Sequence, residues 1–113
     1  MTITILDNEY VALWCYPEDK IIHHKIKKYV FGEHYRQLLG TGADAFVEYG
    51  CHKYLSDDHE NPSIHPEDRA WSDAHFTPRV IQAGWTHWAL VMPKKVIGQL
   101  NMATIIAEFR RMG

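Results

Sequence analysis

The apolar pattern of this chain changes period at Gly32. Before that point apolar residues alternate as they do on strand faces; after it they recur at helical steps. A chain patterned this way builds a sheet first and then packs helices on it. Residues 2–6 alternate, with Ile3 and Ile5 on one face and Thr2, Thr4 and Leu6 on the other. Asp7-Asn8 marks a turn, Tyr10 to Tyr16 a second strand, Pro17-Glu18-Asp19-Lys20 another turn, and Ile21 to Tyr29 a third strand. Links this short predict an antiparallel meander.

Beyond Gly32, the residues Tyr35, Leu38, Leu39, Gly42, Ala45, Phe46 and Tyr49 fall on one face of a helix. Gly40 and Gly42 each weaken it by about 1 kcal/mol relative to alanine and mark a point where it could break. Gly50 is a helix stop, and Cys51 to Ser56 is a short strand, followed by the polar stretch Asp57 to His65. Pro66-Glu67-Asp68 has the proline and acids of a helix first turn. That helix would bury Trp71, His75 and Val80, with Pro78 kinking or splitting it and Gly84 ending it. Trp85 to Met92 is the most apolar run and reads as a buried strand. A last helix begins near Lys95, with Ile97, Leu100, Thr104, Ala107 and Arg111 along one side, and Ile105, Ile106 and Phe109 widening its apolar face. The predicted fold is α/β: one domain over residues 1–113, ordered β-β-β-α-β-α-β-α, with helices packed on a mixed sheet whose helix-linked strands run parallel.

Composition narrows the function classes. Twelve basic residues against fourteen acidic ones leave a net charge of −2, without the basic field of a nucleic-acid-coating protein. No apolar run has the length of a membrane span, and Met1 to Asp7 lacks the basic head and apolar stretch of a signal peptide, so a cytoplasmic chain is expected. Cys15 and Cys51, each inside an apolar strand-like segment, are expected to be reduced core thiols.

The element order, read with Lys53-Tyr54-Leu55-Ser56-Asp57-Asp58, resembles the STAS superfamily of small α/β domains, and within it the SpoIIAA-like group of short bacterial proteins. Pro66-Glu67-Asp68 with Trp71, Ala83-Gly84-Trp85 with Trp88-Ala89, and Val96 to Met102 carry the same resemblance, which covers nearly the whole chain. It implies a SpoIIAA/STAS-like sheet-and-helix fold and a non-catalytic regulatory module that acts by binding a protein partner. Ser56, Asp57, Asp58 and Trp71 are the candidate partner- or ligand-binding residues. The Asp-Ser-Ser-Gly turn phosphorylated in anti-sigma-factor antagonists is missing: Ser56 is followed by Asp57 and Asp58, which would repel an added phosphate. The resemblance also shades into CRAL-TRIO lipid carriers, so a small-molecule or lipid-binding carrier is the alternative, with Trp71, Phe76, Val80 and Phe109 lining its pocket.

A third reading is a divalent metal held in the loop at residues 57–68 by Asp57, Asp58, His59 and His65, although their spacing matches no closed zinc motif. His23 and His24 are adjacent on a strand, face opposite sides and cannot share a metal. His52 and His87 are placed to approach each other across neighbouring strands. No nucleophile elbow, P-loop or dinucleotide fingerprint occurs, so no catalytic residue, enzyme activity or cofactor is expected. Relatives in the resembled family continue past the last helix, and here Gly113 follows it directly. An open sheet edge beside apolar helix surface then predicts a homodimer.

Overall fold

The computed structural model describes residues 1–112. Nine elements follow in order: β1 (Ile3–Asp7), β2 (Val11–Tyr16), β3 (Ile21–Ile26), α1 (Glu33–Glu48), β4 (Lys53–Asp57), α2 (Pro66–His75), α3 (Thr77–Gln82), β5 (His87–Val91) and α4 (Val96–Arg111). The strands form one sheet in the order β1-β2-β3-β4-β5. β1, β2 and β3 pair antiparallel, and β4 and β5 join parallel, as the long helical crossovers require. The second predicted helix is split at Pro78, which stands in the first turn of α3.

Register decides what faces the helices. Ile22 pairs with Cys15 and Tyr54, and His24 with Leu13 and Ser56, so these residues share the covered face with Trp88 and Leu90. α1 lays Tyr35, Leu38, Leu39, Gly42, Ala45 and Phe46 against them, and its glycines do not interrupt it. The reverse face carries Trp14, His23, Leu55 and Ala89 in one row.

Three expectations are corrected. Leu6 was expected opposite Ile3, but a bulge between Thr4 and Leu6 rephases β1 and sets Leu6 against Leu13 on the core side. β5 is not a buried strand: it ends the sheet, and His87, Ala89 and Val91 are exposed while only Trp88 and Leu90 turn inward. α4 is rotated from the orientation its sequence suggested. Gly98, Met102 and Ile105 are its buried residues, and Ile97 and Leu100 remain 68% and 66% exposed. The cause is a close approach: a Cβ on Gly98 would lie 2.1 Å from the Pro62 carbonyl oxygen and 2.7 Å from the Pro93 side chain. Only a glycine face fits against those prolines, and that contact fixes the helix rotation.

Candidate functional site

Strand alternation brings three polar side chains together beneath the helices. His24 lies between Ile22 and Ile26 on the core face of β3, while Tyr54 and Ser56 face the same way from β4 and Asp58 follows at the strand end. His24 Nε2 lies 2.8 Å from Asp58 Oδ1, and its Nδ1 lies 2.9 Å from the Tyr54 hydroxyl. All three residues are buried. An Nε2–H donating to the carboxylate leaves Nδ1 to accept the Tyr54 hydroxyl proton, so both ring nitrogens of His24 are engaged. Burial, reinforced by the negative charge of Asp58, pushes the Tyr54 phenol far above its usual value, and burial does the same to Tyr35. Beside the trio, Trp88 Nε1–H donates to Ser56 Oγ at 3.0 Å.

These groups floor a cavity of about 70 Å³, walled by Phe76 and Val80 and roofed by Met102, Ile105 and Phe109 of α4. Ligand pockets usually run to about 300 Å³ or more. Phe76, Val80 and Phe109 do share one cavity, whereas Trp71 lies outside it, packed on α2 against Arg36 and His75. Outside the cavity, a shallow groove of about 470 Å³ runs between β5 and α4, lined by His87, Leu90, Ile106 and Arg110.

The residues expected to hold a metal are not brought together. Asp58 turns inward to His24, while Asp57 sits on the reverse sheet face in register with Lys25 and accepts the His59 backbone N–H at 3.2 Å. His65 caps α2, its Nδ1 accepting the Glu67 N–H, and the His59 side chain is exposed. Among the described residues no three His, Cys, Asp or Glu side chains gather closely enough to hold a metal ion. Asp68, from the same stretch, is buried and structural: it accepts the Gly32 N–H at 2.8 Å and pairs with Arg36, tying the start of α1 to α2.

Ser56 is likewise buried and cannot meet a partner at the surface; it lines the cavity. His87 opens β5, but His52 stands just before β4, and each ring has its own partner, the Gly84 carbonyl for His52 and the Thr86 hydroxyl for His87. Cys15 and Cys51 are free, buried thiols 4.0 Å apart, and burial pushes the Cys51 thiol up to about 12. Such thiols are inert as nucleophiles near neutral pH. The His24–Tyr54–Asp58 trio was missed in sequence, although alternation of His24 with Ile22 and Ile26 marks it as inward-facing. Among the described residues no helix is long and apolar enough to cross a membrane. No family model, curated protein or solved structure matches the chain.

Proposed function

We propose that this chain is a non-catalytic, regulatory protein-interaction module similar to the SpoIIAA-like group of the STAS superfamily. The observation that carries the reading is where its large apolar side chains are exposed. Val96, Ile97 and Leu100 stand in solvent together on the first turns of α4. Apolar surface gathered in one region beside a sheet edge is the usual mark of an association site. The unpaired outer edge of β5 also suits two-fold pairing with a second copy, which is the homodimer proposed with it.

Affinity capture of the tagged chain from its own cells, with a tag-only control, tests the reading. A second polypeptide recovered in fixed ratio is the expected result. Repeated recovery of nothing but its own copies contradicts the module, and a solution mass of 13.2 kDa at all concentrations contradicts the dimer.

A second reading, the small-molecule carrier, is favoured by one observation: Phe76, Val80 and Phe109 line a common cavity beneath α4. Trp85, Trp88 and Phe109 line both this cavity and the groove between β5 and α4. Native mass spectrometry of freshly purified protein separates the two, a retained apolar ligand supporting the carrier and a bare mass opposing it.

A further inference from the structure

α4 carries two apolar stripes, and the sheet covers only one. Gly98, Met102, Ile105 and Phe109 form the inner stripe. Ile97, Leu100, Thr104, Ala107 and Arg111 recur on the outer side at alternating steps of three and four, which is the seam spacing of a two-helix coiled coil. Ile97, Leu100, Thr104 and Ala107 are all exposed. Ile97 and Leu100 fill the first half of this seam; Thr104 and Ala107, with Ala103 beside them, are small and let another helix come close before Arg111 ends it.

Charge narrows the occupant. Between residues 94 and 112 stand Lys94, Lys95, Arg110 and Arg111 against the single acid Glu108, in a chain whose net charge is −2. Glu108 is engaged by Arg69, and Lys94 by Glu60. Among the described residues Lys95, Arg110 and Arg111 form no ion pair. Lys95 also stands at the N-terminus of α4, where the helix dipole disfavours a cation and no side chain caps the exposed N–H groups. Lys95 is therefore a positive charge that the described fold leaves uncompensated, while Arg110 and Arg111 stand in the last turn, where the dipole favours cations but no acid among the described residues pairs with them.

We propose that the outer face of α4 docks an amphipathic α-helix of another protein, whose apolar seam is flanked by acidic residues. This rests on the interaction-module reading and names its surface and partner class. A second copy of α4 fits poorly. An antiparallel pair sets Lys94 and Lys95 against the partner's basic end, and a parallel pair sets each basic cluster against itself. A bilayer is also disfavoured, because Ala103, Thr104 and Ala107 offer little apolar area for insertion over the second half of the helix.

The test is fluorescence anisotropy with a labelled three-heptad peptide bearing Leu at the seam and Glu beside it, against the same peptide with Lys in place of Glu. The Glu peptide is expected to bind at least about tenfold more tightly. The double variant I97D/L100D, altered only at exposed positions, is expected to lose that binding while melting like the wild type. R110E/R111E should reverse the preference toward the Lys peptide. Equal binding of the two peptides, or binding unchanged in I97D/L100D, overturns the proposal. So does co-sedimentation with phosphatidylserine vesicles, or a dimer, that I97D/L100D abolishes. Failure here together with a captured partner that still binds I97D/L100D removes this surface but leaves the interaction module standing; failure with no partner at all removes both.

Discussion

A methyl group on Gly42 would lie 2.9 Å from the Tyr54 hydroxyl, the oxygen that also meets His24. α1 therefore rests directly on the buried polar trio, and the missing side chain at Gly42 is what allows that approach. In an exposed helix, alanine would gain about 1 kcal/mol over glycine. Here the overpacking penalty of about 1–3 kcal/mol opposes that gain, and displacing the hydroxyl also breaks its bond to His24. Gly42→Ala should destabilise the chain by about 1–2 kcal/mol in urea denaturation. Adding Tyr54→Phe removes the colliding oxygen, so the double variant should lose less than the sum of the single losses. Strict additivity, or a stabilised Gly42→Ala, would show that helix and trio are not in contact.

The two faces of α4 should respond oppositely to substitution. Gly98→Ala drives a methyl into the Pro62 carbonyl and the Pro93 ring, and should cost toward the upper end of about 1–3 kcal/mol despite alanine's better helix propensity. Ile97→Ser, one residue away on the exposed side, should change stability by no more than about 0.5 kcal/mol. Thermal melts of the two variants decide this, and a costly Ile97→Ser with a silent Gly98→Ala would mean that the helix is rotated the other way.

His23, on the reverse sheet face with its Nδ1 2.9 Å from the Tyr16 hydroxyl, should make stability fall as the solution is acidified. Burial depresses its pKa below the ordinary 6.5, the adjacent His24 adds to the depression, and Asp57 opposes it. A depressed histidine takes up its proton in the unfolded chain first. Stability is then complete above 6.5, drops as pH falls through that value, and levels off below the folded-state pKa. Between about pH 7.5 and about pH 5.5 the wild type should lose more stability than His23→Gln. Equal losses would remove His23 as the source.

The element order, the antiparallel-to-parallel change and the covered face of α1 were legible because each rests on a local period. Pro78 splitting its helix was legible for the same reason, since it acts within one turn. What could not be read depends on distant residues. The run from Trp85 to Met92 has the composition of a buried strand, and nothing local says that no strand lies beyond it. Both stripes of α4 are apolar enough to face a sheet; the choice is made by Gly98 against Pro62, 36 positions earlier. At the site, Asp57, Asp58, His59 and His65 looked alike as members of one polar loop. Strand phase sends Asp58 inward and Asp57 to the other face, and that separation dissolves the expected metal cluster.

In-cell photo-crosslinking tests the central claim most directly, with p-benzoylphenylalanine placed at Leu100 on the outer face of α4 and, separately, at Val47, an exposed position on α1. If α4 is the docking surface, the probe at Leu100 captures one recurrent second protein through a helical segment rich in acids, and the probe at Val47 does not. If both probes give the same products, or Leu100 captures only further copies of this chain, the account of α4 as a surface for another protein is wrong.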